Sequence, residues 1–163
     1  MSGIRVLIAL LLGFIPFSYA HSDDFFVRGL GPDDPSRLHV VVESLGPDAA
    51  TIGLTVARIE NRIRVRLAQA SINVIPSTQY IEDGAYLYMN INVLNRAASI
   101  CVELNRFVTF TAKGVEVLQS ATTWDRCGLA TLRAPDSSEG DYVMSLVDQM
   151  MDSFLADYFQ ANR

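Results

Sequence analysis

Apolar positions along the chain recur with two different periods, and the change from one to the other separates a strand–helix–strand opening from a run of alternating strands. Residues 38–43 are nearly continuous in apolar β-formers, which suits a strand covered on both faces. Gly46 and Pro47 close it. Over residues 54–70, Ile59, Ile63 and Leu67 recur at every fourth position, and Arg58, Arg62 and Arg66 do the same one step around, which is the pattern of an amphipathic helix. Thr51 or Thr55 supplies a cap. Ile72-Asn73-Val74-Ile75 then reads as a short strand ended by Pro76. The three pieces form a β-α-β unit, whose strands are expected to lie parallel.

Strict alternation takes over after residue 84. Leu87, Met89, Ile91 and Val93 are apolar, and the positions between them are Tyr86, Tyr88, Asn90 and Asn92, which predicts a half-buried strand over 85–94. Residues 100–112 alternate in the opposite phase, with Ile100, Val102, Leu104, Val108 and Phe110 apolar. A turn centred between Arg96 and Ala97 would pair Val93 with Ile100 and Met89 with Leu104, so that both apolar sets share a face. Lys113-Gly114 forms a second turn, into a strand over 115–124 that pairs Phe110 with Val117. Continued without interruption, this register sets Cys101 opposite Arg126. One extra residue, a bulge near Gln119 to Ala121, sets it opposite Cys127 and turns Trp124 inward; a loop from Asp125 is the other option.

Ser138 and Asp141 resemble a capping box, and Val143, Leu146, Val147, Met150, Phe154 and Tyr158 follow at helical spacing with Asp148, Asp152 and Asp157 on the wet side. The fold class this order predicts is α+β: a mixed sheet, made of a β-α-β unit and a three-stranded antiparallel meander, with two helices packed on one face.

The N-terminus changes the picture of where this domain works. Arg5 precedes an apolar run from Val6 to Phe17 that ends in Ser18-Tyr19-Ala20, so residues 1–20 read as a signal peptide cleaved after Ala20. Gly13 and Pro16 interrupt the run, which is shorter than the roughly 20 residues of a bilayer span. Residues 21–36 are turn-rich and read as a flexible N-terminal arm, leaving 37–163 as a single domain. With 20 residues removed, 143 remain, carrying 12 basic and 18 acidic side chains, a formal charge of −6. That balance argues against nucleic acid as a partner. An exported chain meets an oxidising compartment, so Cys101 and Cys127 are expected to form a disulfide.

Signature motifs for phosphate binding, zinc hydrolysis and serine nucleophiles are missing from the sequence. Glu82 and Asp83 are adjacent in a turn and diverge, which suits acid/base pairing poorly. Cleavage after Ala20 would make His21 the mature N-terminus, whose amine and ring nitrogen suit copper, with His39 as a third donor. This single residue resembles the copper histidine brace of lytic polysaccharide monooxygenases. Two surfaces are candidate binding sites: the arginine stripe Arg58, Arg62 and Arg66, and the face bearing Tyr86 and Tyr88.

Gly53-Leu54-Thr55, Tyr86-Leu87-Tyr88, Thr123-Trp124 and Val147-Asp148 to Asp157-Tyr158 resemble a family of small exported bacterial proteins, a likeness that implies no activity. The opening strand, Gly-Leu-Thr helix and Ile-Asn-Val strand are more distantly similar to α/β modules of the Tol translocation and curli secretion proteins, which implies a periplasmic interaction role. A lipoprotein cysteine and propeller or pore segments are lacking, so neither specific function carries over. The expectation is a periplasmic or secreted, non-enzymatic binding or assembly protein whose partner is a cell-envelope protein or glycan. The alternative is a small secreted enzyme or copper protein.

Overall fold

The computed structural model describes residues 30, 37–76, 85–133 and 137–162. The signal segment, His21, most of the arm and the Glu82-Asp83 turn lie outside them. The chain is α+β. Strands β1 (Arg37–Val42), β2 (Asn73–Ile75), β3 (Ala85–Leu94), β4 (Ala97–Ala112) and β5 (Val115–Thr131) form one sheet in the order β2-β1-β3-β4-β5. β1 pairs in parallel with both β2 and β3, and the β3-β4-β5 meander is antiparallel. Helices α2 (Val56–Gln69) and α3 (Ser137–Ala161) pack on one face, as the periodicity predicted.

A further helix, α1 (Pro47–Thr51), occupies a stretch read from sequence only as a strand stop. At five residues it is too short to show a period, although Pro47 in the first turn and Asp48 beside it are ordinary helix starters. Thr55 caps α2, its Oγ1 accepting from the Arg58 amide at 3.1 Å. Ile59, Ile63 and Leu67 are fully buried against the sheet. Among the described residues β1 is covered on one face: Leu38 and Val40 are buried, while Val41 is 40 % exposed. The continuous apolar run thus overstated its burial.

Two register details differ from expectation. The first hairpin turns at Asn95-Arg96, with Leu94 opposite Ala97, so Ile91 meets Ile100 and Met89 meets Val102. The shift is two residues, which preserves the side-chain face. Asn95 takes the left-handed conformation (φ 53°) that asparagine tolerates. Lys113 and Gly114 both have positive φ, and Ala112 faces Val115 as expected. The bulge falls at Thr123, between the Leu104–Trp124 and Asn105–Thr122 pairs, and β5 then runs on to Thr131 without the loop at Asp125.

The capping-box reading of Ser138 and Asp141 also fails. Ser138 is already inside α3, and Glu139 instead reaches back to accept from the Arg133 amide at 2.8 Å. Gly140 brings the start of α3 against α1, where an added Cβ would lie 1.9 Å from the Ile52 carbonyl oxygen. An interior helical Gly→Ala change ordinarily gains up to about 1 kcal/mol. Here the clash is with backbone and overpacking costs about 1–3 kcal/mol. Gly140→Ala is therefore expected to lower stability by about 1–2 kcal/mol in urea unfolding, and a stabilised variant would show that α3 does not sit this close.

Candidate functional site

Each strand of the meander presents its core residues to the helices and its alternate residues to a face that no described helix covers. On β3 these are Tyr86, Tyr88, Asn90 and Asn92; on β1, His39 and Val41, with Glu43 just past its end; on β4, Cys101, Glu103 and Asn105. The pairing register arranges them in rows. Tyr86 stands between His39 and Asn105, and beyond Asn105 comes Thr122. Tyr88 stands between Val41 and Glu103, and beyond Glu103 comes Asp125. The next row ends in the Cys101–Cys127 disulfide, formed between directly opposed residues with Cα atoms 4.1 Å apart.

Hydrogen bonds run across the strands and, between Asn92 and Asn90, along β3. The Tyr86 hydroxyl and Ser120 Oγ are 2.5 Å apart. Asn92 donates to Asn90 at 2.5 Å, Asn90 donates to Glu43, and Thr122 Oγ1 donates to Asn105 Oδ1 at 2.9 Å. Tyr88 donates its hydroxyl proton to Glu43 as well. That bond, with partial burial and the charges of Glu43 and Glu103, raises its pKa above the ordinary 10.0. The folded state thus favours neutral Tyr88. The resulting stability is complete below the ordinary value and is lost as pH rises through the raised one. In an alkaline absorbance titration Tyr88→Phe is expected to remove a late-ionising phenol; loss of one titrating at or below 10.0 would contradict the bond to Glu43.

The arginine stripe is placed differently. Arg58 pairs with Asp141 at 2.5 Å, Arg62 with Asp148 at 3.3 Å, and Arg66 with Asp152. The guanidinium groups thus face Asp148 and Asp152, which read as the wet side of α3, and Asp141, which read as part of a capping box, fastening α2 to α3. The pairs are substantially solvent-exposed, so each contributes about 0.2–1 kcal/mol. Arg126 and the Trp124 indole both donate to Asp157 Oδ2, at 3.1 and 3.0 Å, tying α3 to β5. These pairings were missed because the two helix patterns were read separately; equal numbers of arginines and aspartates at four- and seven-residue spacings were the available signal.

His39 lies on the open face beside Tyr86, and the copper partner considered for it, His21, is outside the described residues. Among the described residues no group of three His, Cys, Asp or Glu side chains is placed to hold a metal ion. A cavity of about 410 Å³ is lined by Thr131, Arg133, Ser138, Glu139 and Tyr142 at the start of α3. A second, of about 310 Å³, is bounded by Asp48, Thr51, Ile52, Val93, Asn95 and Arg96. Among the described residues neither lining contains a histidine or cysteine. No described helix is long and apolar enough to cross a membrane.

No family model matches the chain, and no curated protein does. Among solved structures it is similar to a minor lipoprotein from Acinetobacter baumannii, at 10 % identity and a TM-score of 0.32, over 76 % of this chain and 94 % of that one. The likeness to Tol and curli modules therefore rests on the sequence elements alone. The chain's own described structure is that of a disulfide-bonded α+β protein whose sheet is packed by helices on one face and presents tyrosines, amides and carboxylates on the other.

Proposed function

We propose that this is an exported, non-enzymatic binding protein of the cell envelope, and that its open sheet face is the surface that binds. The observation carrying this reading is that face itself. Tyr86 is tied to Ser120 across the sheet, Asn90 donates to Glu43 and accepts from Asn92 beside it on β3, and Val41 and Leu129, 40 % and 86 % exposed, lie on the same side. A flat, rigid surface that mixes tyrosine, amides and exposed apolar groups is suited to a macromolecular partner more than to a small substrate, which needs convergent walls. Export is supported by the Arg5 to Ala20 segment and by the disulfide, which persists in an oxidising compartment. The arginine stripe contributes less to binding in this reading, since its charges are matched within the chain.

Photo-crosslinking in growing cells tests it. A crosslinking side chain at Leu129, on the open face, is expected to give a discrete adduct with an envelope component, lost when Tyr86 and Tyr88 are both changed to serine. The same group at Val65, 52 % exposed on α2, is expected to give none. Equal adducts from both positions, or an adduct indifferent to the tyrosines, would overturn the assignment of the face.

A further inference from the structure

The register brings Glu103 and Asp125 directly opposite each other on adjacent strands of the open face. Opposed like charges destabilise a sheet. Elsewhere this chain matches its charges with some care, pairing four arginines with four aspartates along α3. Neither Glu103 nor Asp125 takes part in the described ion pairs; Glu103 accepts only a 3.4 Å contact from Thr122. Glu43 lies on the same face one row away, its donors being the neutral Asn90 and Tyr88. No lysine or arginine with a described side chain stands in these rows. Arg37, whose side chain is outside the described set, is four residues before Val41 and at the far end of β1.

Resting on the open face as the binding surface, we infer that its partner is a basic polypeptide segment, whose arginine or lysine side chains enter the row Val41–Tyr88–Glu103–Asp125. Charge complementarity selects this occupant. The row carries carboxylates on adjacent strands with no described cation between them, and a guanidinium bridging them would turn a repulsive juxtaposition into two charge-assisted hydrogen bonds. The tyrosines beside the row offer ring faces over which a cation is attracted. Val41 at one end of the row and Leu129 two open-face positions along β5 from Asp125 add apolar surface for the rest of a peptide, a composition suited to a chain rather than to a lone metal ion. Opposed carboxylates with no described cation beside them are expected where binding rather than stability sets the residue.

The test uses the purified exported protein and two synthetic decapeptides, one alternating arginine with threonine and one alternating glutamate with threonine, followed by titration calorimetry. The arginine peptide is expected to bind with an affinity that falls as salt is added, and the glutamate peptide is not. The double change Glu103→Gln and Asp125→Asn is expected to weaken binding of the arginine peptide at least about tenfold, roughly the loss of one charge-assisted contact. The same variant's unfolding midpoint should hold or rise, because the repulsion has gone. Asp125→Asn alone, on the exposed edge strand, is expected to give an intermediate loss and does not depend on the double variant folding. Equal affinity for parent and variant, absence of binding at millimolar peptide, or calcium ions alone binding at Glu103 and Asp125 while the peptide does not, would each overturn the inference. A Leu129 crosslink that survives the double change would leave the open-face reading standing while removing the basic partner.

Discussion

Replacing Phe154 with alanine is expected to remove about 3–5 kcal/mol of stability, the range for truncating a fully buried aromatic ring. Phe154 is fully buried on α3 and meets the Trp124 ring edge-on at 5.3 Å and the Tyr158 ring at 5.9 Å. Trp124 reaches this contact only because the bulge at Thr123 turns it toward the helices, where its indole nitrogen donates to Asp157. Truncation opens a cavity between a strand and a helix that are also joined by polar contacts. Those contacts hinder collapse around the hole, so the cost should lie in the upper part of the range. Urea unfolding followed by Trp124 fluorescence measures it, with the midpoint lowered and the slope unchanged. A loss under about 1.5 kcal/mol would mean that α3 is not seated on β5 as described.

The features legible in the sequence were those that depend on parity and period. The alternation at Leu87, Met89, Ile91 and Val93 fixed which side of β3 is core, and a two-residue error in the hairpin register left every side chain on its correct face. Turn placement was less legible, because Asn95 and Arg96 are ordinary polar residues and only the positive φ of Asn95 distinguishes the turn chosen. The bulge was inferred from the cysteines, but its position was not. Ala121, Thr122 and Thr123 are all small strand residues, and an extra residue at any of them turns Trp124 toward Phe154, so neither the cysteines nor that ring contact distinguishes among the three. The candidate site was legible in part: the tyrosines follow from alternation, whereas the Glu103–Asp125 contact and the arginine–aspartate pairings are long-range and depend on registers and helix orientations that no local pattern carries.

That bulge also gives the disulfide its purpose. Between Ala112–Val115 and Asn105–Thr122 the β4-β5 pairs follow an unbroken register, and continuing it would set Cys101 against Arg126 and send Trp124 to the open face. The observed register beyond Thr123 differs by one residue, the smallest slip that reverses every side chain. Joining Cys101 to Cys127 permits only the bulged alignment, four residue pairs past the point where the two diverge. It closes a loop with a sequence separation of 26, for which the chain-entropy estimate is about 3.5 kcal/mol. Changing both cysteines to alanine is therefore expected to destabilise the protein by about 3.5 kcal/mol, and to do so through the denatured and slipped states rather than through lost packing, since Cys127 is exposed on the open face. Two measurements separate these routes. Equilibrium unfolding should show the full loss in the double variant and in the reduced parent alike. Hydrogen exchange at 25 °C should show faster exchange concentrated in residues 124–131 of β5, the part whose alignment the bond selects, with the hairpin near Lys113-Gly114 less affected. A loss below about 1 kcal/mol, or exchange that quickens uniformly along β5, would mean that core burial of Trp124, Ala130 and Leu132 alone holds the bulged register.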